Sequence, residues 1–167
     1  MKSTSPILIK TILTLHIIVS VGLLGDSAGY LAVAIHAANV TDPLMAKASY
    51  QILQMLAFVF GIPLSFAALL TGLWLTFITK WKLFSYPWVT IKFLLIISVI
   101  LVGAIFLKSG MDAMLNGMGG AEGLLIIGAI YDVVALTIAT ILSVFKPFGN
   151  RYSKKNRKLR TTNEGLA

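Results

Sequence analysis

Four long runs of apolar residues, separated by short polar or glycine-rich connections, dominate the hydrophobic pattern of the chain. They occupy residues 7–36, 44–79, 86–107 and 122–144. Each run contains the roughly 20 apolar residues that a helix needs to cross a hydrocarbon core about 30 Å thick. The pattern therefore predicts an all-α fold, a four-helix transmembrane bundle, within a domain that covers residues 1–146.

The connection between the first two runs predicts a long helical hairpin. It reads NVTDP and is short and turn-like, and Pro43 suits the first position of a helix. At 1.5 Å per residue the two helices extend about 45 and 54 Å, which exceeds the hydrocarbon core. Pro63 is expected to kink the second helix, with Gly61 and Ser65 easing the bend. The third connection, KSGMDAMLNGMGGA, is expected to be a flexible or interfacial loop.

Composition and charge support a membrane location and suggest an orientation. The chain is 57% apolar and 12% charged, whereas charged residues make up about a quarter of soluble proteins. Eleven of the 14 Lys and Arg residues would lie on one side of the bundle, and Lys47 and Lys108 on the other. This asymmetry predicts that both termini are cytoplasmic, the N-in/C-in orientation.

Two further features of composition limit the partners and cofactors. Residues 147–167 include RYSKKNRKLR and predict a polybasic cytoplasmic tail that contacts anionic lipid rather than nucleic acid. The chain has no cysteine, which excludes disulfides, thiolate metal sites and iron-sulfur clusters. Any redox chemistry would therefore need a bound cofactor.

Four ionisable residues lie well inside the membrane-spanning part of the predicted helices, where each is a functional candidate because a buried charge costs about 2.5 to 3.5 kcal/mol at the membrane centre. They are His16, Asp26, Lys92 and Asp132. Counted from the cytoplasmic ends of their helices, His16 and Lys92 both lie roughly 9 to 14 Å deep. Asp26 and Asp132 lie nearer the outer side, too far to reach Lys92.

The first helix has two different faces. Ser20 and Tyr30 lie within about 40° of His16 at 100° per residue, on a face that should point into the bundle. The opposite face carries the glycines Gly22, Gly25 and Gly29. Because small residues let helices approach closely, this glycine face predicts contact with a second copy or with another membrane protein.

His16 is a candidate axial ligand of haem b, since imidazole is the usual protein ligand of haem iron and bundle interiors often hold such groups. In this hypothesis Ser20 and Tyr30 line the cofactor site, and Lys92 pairs with a propionate. The alternatives are a His16 hydrogen-bonded to a neighbouring helix and a Lys92 that extends to the lipid headgroups beside Trp88. The sequence assigns no enzymatic activity.

The remaining polar residues suggest functions of other classes. Asp26 and Asp132 would form a proton or cation site. Alternatively, they would have a structural role and form hydrogen bonds with Tyr131, Tyr30 or the backbone. The methionines Met111, Met114 and Met118 share one helical face, which would hold Cu(I) or lie on the membrane. The alternative functions are therefore a proton, cation or copper transport component and a non-catalytic assembly subunit.

Three stretches resemble a group of small bacterial membrane proteins. They are LHIIVSVGLLG at 15–25, LLTGLWL at 69–75 and PWVTIKFLL at 87–95. They resemble an uncharacterised family of predicted integral membrane proteins and, more distantly, the copper-resistance D membrane domain and the HemJ-type protoporphyrinogen oxidases. The resemblance implies a multi-pass protein of the bacterial inner membrane.

The HemJ-type resemblance also implies which residues are functional. In that family a histidine of helix one and a lysine of helix three are the functional residues and are associated with haem. They correspond to His16 and Lys92. A Tyr-Leu-Pro-Arg run of the family is replaced by YLAV at 30–33. Since an arginine would pair with a porphyrin carboxylate, haem binding is the better expectation than porphyrinogen oxidation.

Overall fold

The computed structural model describes residues 5–79, 86–117 and 120–147, and nearly all of them are helical. The helices are α1 (Pro6–Asn39), α2 (Pro43–Ile78), α3 (Pro87–Leu115) and α4 (Glu122–Phe145). Within these described ranges there is no β-strand. All four helices are long and apolar enough to cross a membrane. The all-α, four-helix prediction is confirmed, whereas the N-in/C-in orientation stays a prediction.

Proline begins three of the four helices. Pro6, Pro43 and Pro87 occupy the first turns of α1, α2 and α3. The first turn tolerates proline because its backbone N–H groups have no partner within the helix. At α2 the Asp42 side chain also accepts a hydrogen bond from the Leu44 N–H at 3.1 Å. The short connection leaves α1 packed against α2, as the predicted hairpin requires.

The four helices form a ring in which each contacts its two neighbours. The contacts join α1 to α2, α2 to α3, α3 to α4 and α4 back to α1. The face of α1 that points inward carries the buried residues Leu23, Ser27, Tyr30 and Ala34, as its rotation predicts. Ile18, Leu70 and Ile127 are more than 60% exposed on the outside. Such an apolar exterior suits contact with lipid.

Two helices contain a π-helical turn. In α2 it covers Ala57–Gly61 and ends two residues before Pro63. Because Pro63 has no N–H, a regular ladder of α-helical hydrogen bonds is impossible there, and the Ser65 hydroxyl donates to the Gly61 carbonyl at 2.6 Å. The predicted irregularity near Pro63 is therefore a widened turn. The second π-helical turn covers Gly103–Leu107 of α3.

The predicted end of the third helix at residue 107 is wrong. Helix α3 continues to Leu115, so the first half of the expected loop is helical. Gly110 is buried, and a Cβ atom at this position would lie 3.1 Å from Leu125 Cδ2 of α4. It is a packing glycine rather than a helix end. The helix ends before Gly117, which adopts a φ of 75°.

Two predictions concern residues outside the described ranges. The polybasic tail falls almost entirely beyond residue 147, and the candidate copper ligand Met118 falls in the gap between α3 and α4.

Gly128 sets the approach of α3 and α4, which gives a test of the packing. A Cβ atom there would lie 2.6 Å from Leu107 Cδ2. We expect Gly128→Val to lower the free energy of unfolding by about 1 to 3 kcal/mol, because overpacking forces the helices apart. Unfolding in mixed micelles with increasing denaturing detergent measures this effect. Gly123→Val is the control, since no atom lies within 4 Å of that position; equal losses in both variants would contradict the packing.

Candidate functional site

Two groups of polar side chains lie inside the bundle at different heights. One surrounds His16, and the other surrounds Asp26 and Asp132. His16 and Asp26 are ten residues apart on one helix, which corresponds to about 15 Å along its axis. The two groups are therefore described separately.

A cavity of about 360 Å³ lies beside Asp26 and Asp132, and all four helices line it. Both π-helical turns contribute to its wall, through Ala57 and Gly61 of α2 and Gly103 of α3. A π-helical turn adds one residue to the turn and is common at functional sites. The irregular backbone of α2 and α3 is thus concentrated around this space.

Three buried oxygen atoms at the cavity have no hydrogen-bond partner within the part of the chain that the structure describes. They belong to the Asp26 carboxylate, the Tyr30 hydroxyl and the Asp132 carboxylate. Tyr30 is 5% exposed and Asp132 is 7% exposed. The three groups form one unsatisfied polar cluster.

The sequence brings this cluster together through simple spacing and one glycine. Asp26 and Tyr30 are four residues apart, so they lie on the same side of α1. Asp132 comes from α4, which packs against α1. A Cβ atom on Gly61 would lie 3.2 Å from Asp26 Oδ2, so glycine allows the widened turn of α2 to approach the carboxylate.

The cluster corrects two expectations. Tyr131 does not satisfy Asp132, because its hydroxyl donates to Ser98 Oγ at 2.6 Å. Tyr30 also leaves the carboxylates unpaired, since its own hydroxyl has no partner among the described residues. Tyr30 was grouped with His16 from its rotation, but it lies about 21 Å further along α1 and belongs with the carboxylates.

His16 reaches across to α2 and is held in one tautomer. Its Nδ1 atom lies 2.8 Å from Thr71 Oγ1. The Thr71 hydroxyl lies 2.6 Å from the Ala67 carbonyl and donates its proton there. With its proton directed to Ala67, the Thr71 hydroxyl accepts a hydrogen bond from His16 Nδ1–H, which leaves Nε2 with a lone pair.

Gly72 supports the same ring. A Cβ atom at Gly72 would lie 3.1 Å from His16 Cε1, so the glycine leaves space for the imidazole against α2. Ser20, predicted beside a cofactor, donates to the His16 carbonyl at 2.7 Å and is thus occupied by its own helix. Thr71 and Gly72 lie within the LLTGLWL stretch, and neither was predicted to position His16.

Lys92 packs against an aromatic side chain of its own helix. Its Nζ atom is 5.9 Å from the centre of the Trp88 ring one turn away, a cation-π geometry. Lys92 is not among the residues that line the cavity. Its common depth with His16 stays a prediction.

The predicted roles of the methionines and of the glycine face stay predictions. Met111 is 2% exposed and packs in the core beside the cavity. No group of three or more His, Cys, Asp or Glu residues suited to a metal ion occurs in the described ranges. A Cβ atom at Gly22 would lie 3.5 Å from Leu64 Cδ1 of α2, whereas a Cβ atom at Gly25 or Gly29 would have no atom within 4 Å. Contact with a partner helix through these open glycines stays a prediction.

The helices and their lipid-facing surfaces define an α-helical integral membrane protein. Residues 10–117 match the model of a family described as "Predicted integral membrane protein (DUF2269)", and the chain belongs to this family. No curated protein and no solved structure matches the chain. The match includes His16, Asp26 and Lys92, while Asp132 lies beyond it.

Replacing Thr71 tests the geometry of His16. In ¹⁵N-histidine spectra of the protein we expect His16 to carry its proton on Nδ1, and Thr71→Val to remove this preference because the acceptor is gone. The lost hydrogen bond should destabilise the fold by about 1 to 3 kcal/mol. Thr76→Val is the control, since its hydroxyl bonds the Leu73 carbonyl of the same helix. A proton found on Nε2 in the unmodified protein would disprove the assignment.

Proposed function

We propose that the protein binds and releases a proton or a cation inside the membrane, as a component of a transport system. The observation that carries the proposal is the cluster of three buried, unpaired oxygens of Asp26, Tyr30 and Asp132 around one cavity.

The energetics of burial support this function. A buried polar group without a hydrogen bond costs about 1 to 3 kcal/mol, and an uncompensated carboxylate costs more. A proton on one carboxyl group supplies a donor for the neighbouring oxygens and removes a charge. A bound cation neutralises the same charges. Either occupant satisfies a site that the protein's described side chains leave unsatisfied.

The location of the site also suits the binding and release of a proton or a cation. Ionisable residues inside membrane helices commonly mark ion pathways and proton relays. Here the carboxylates come from two neighbouring helices, and the opposite wall contains two π-helical turns. Small changes in those turns alter the cavity without breaking the regular packing of α1 on α4.

Proton movement through the carboxylates can be measured directly. In proteoliposomes with a potassium diffusion potential and a pH-sensitive dye inside, we expect the protein to raise proton flux. Asp132→Asn should reduce this flux by about tenfold or more, because an amide cannot carry the proton. Asp112→Asn is the control, since Asp112 is exposed and does not line the cavity. Flux that is unaffected by both Asp132→Asn and Asp26→Asn contradicts the proposal.

A second candidate function, haem b binding, is supported by the tautomer of His16. Ligating histidines commonly donate through one ring nitrogen to a protein acceptor and bind iron through the other. His16 has this arrangement, with Thr71 as the acceptor. Lys92 supplies a nearby positive charge for a propionate. His36 lies about 30 Å further along α1, so a second histidine ligand from the same chain is excluded.

An absorption spectrum tests the second function. After purification with added haem we expect a Soret band that is lost in His16→Ala, because the iron loses its axial ligand. Asp132→Asn is the control, since it lies in the other polar layer and should retain the band. Absence of a Soret band in the unmodified protein, or a band that survives His16→Ala, would rule out this ligand assignment.

A further inference from the structure

We infer that the cavity at Asp26, Tyr30 and Asp132 recognises a small organic cation, an apolar body that carries a primary ammonium group. The inference rests on the proposed cation-binding function and names its ligand class. It follows from the size, the lining and the donor and acceptor count of the cavity.

The cavity is too large for a bare metal ion. Its volume of about 360 Å³ falls in the range of pockets that hold organic ligands, roughly 300 to 1,000 Å³. A calcium ion takes six to eight oxygen ligands, and magnesium requires a nearly ideal octahedral set. Two carboxylates and one phenol do not enclose such an ion. Most of the space is left for something other than the charged group.

The wall of that space is apolar and partly aromatic. Its apolar residues include Leu23, Phe58, Ile62, Phe66, Val99 and Met111. The polar lining consists of Asp26, Tyr30 and Asp132, which carry the unpaired oxygens, together with Ser27, Ser65 and Lys108. A ligand that fits both parts has one polar end and one hydrophobic end.

A primary ammonium group matches the polar cluster. It carries three N–H donors and one positive charge. Asp26, Tyr30 and Asp132 all line the cavity, and each has a buried oxygen that bonds no described residue, so an ammonium group that reaches them supplies the missing donors. One ammonium neutralises one of the two carboxylates, and the other carboxyl group keeps its proton. A quaternary ammonium has the same charge but no N–H, so it should bind less well.

Lys108 limits the charge of the ligand. It provides the one positive charge among the described lining residues, at an exposed position. Its repulsion is partly screened by solvent, so it weakens the binding of a monocation without preventing it. Removing this charge should therefore strengthen the binding of a cation, whereas removing a carboxylate should weaken it.

The test uses the full-length protein in phosphatidylcholine nanodiscs and two probes of nearly equal shape, phenethylamine and 2-phenylethanol. We expect phenethylamine to bind at least about tenfold more tightly in calorimetric titration, because the alcohol lacks the charge-assisted hydrogen bonds. Asp132→Asn and Asp26→Asn should each weaken amine binding about tenfold and leave the alcohol unchanged. Lys108→Gln should strengthen amine binding about twofold. Asp112→Asn should change neither.

Equal binding of the amine and the alcohol, or amine binding that ignores both carboxylate variants, overturns the inference. If the amine does not bind while Asp132-dependent proton flux persists, the ligand class is wrong but the proposed function stands. If neither amine binding nor Asp132-dependent proton flux is observed, both the ligand class and the proposed function are rejected. Tighter binding of the trimethylated amine than of the primary amine also overturns the role of the three N–H donors.

Two sources of a primary ammonium are distinguished by the lipid. Nanodiscs that contain phosphatidylethanolamine present this group on a headgroup. Displacement of phenethylamine in these nanodiscs supports recognition of the lipid ammonium. Unchanged binding supports recognition of a free amine.

Discussion

Polar groups inside a membrane bundle must find their partners within the protein, because lipid supplies none. The hydroxyl side chains meet this requirement locally: Ser20, Ser65 and Thr140 each donate to the carbonyl four residues earlier in the same helix. Thr71 does the same and still accepts from His16 of another helix. Against this background of local satisfaction, the unpaired oxygens of Asp26, Tyr30 and Asp132 are exceptional. The constraint that shapes the rest of the bundle is unmet where the cavity lies, and this is the reason that the proposed function is assigned to the cavity.

The same cavity depends on irregular backbone that local chemistry produces. Pro63 cannot complete the hydrogen-bond ladder of α2, and the turn before it widens. Gly61 ends that turn without a side chain, and a Cβ atom at this position would lie only 3.2 Å from Asp26 Oδ2. Helix α3 widens at Gly103–Leu107 on the facing wall. The cavity therefore results from helices that continue through a π-helical turn, whereas two regular helices would have packed more closely.

The helices could be predicted from the sequence, whereas contacts between helices could not. About 20 apolar residues already identify a helix that crosses the membrane. The common depth of His16 and Lys92 follows from a constant rise per residue and stays a prediction. Gly110 was misread as part of a loop because its packing against Leu125 depends on another helix. Tyr30 was misplaced because rotation alone ignores height, and no sequence rule showed that α4 brings Asp132 beside it.

An apolar layer separates the two polar groups and explains how they can serve different functions. Its buried members come from all four helices and are Val19, Leu23, Ala68, Val99, Ala135 and Leu136. On α1 this layer lies between His16 and Asp26, and on α2 Ala68 lies between Thr71 and Ser65. A charge moving from the cavity toward His16 must cross these side chains, which offer it no hydrogen bond. If the cavity exchanges a proton or a cation across the membrane, as we propose, this layer must open, and Leu23, which is 2% exposed and also lines the cavity, is the residue that joins the layer to the cavity.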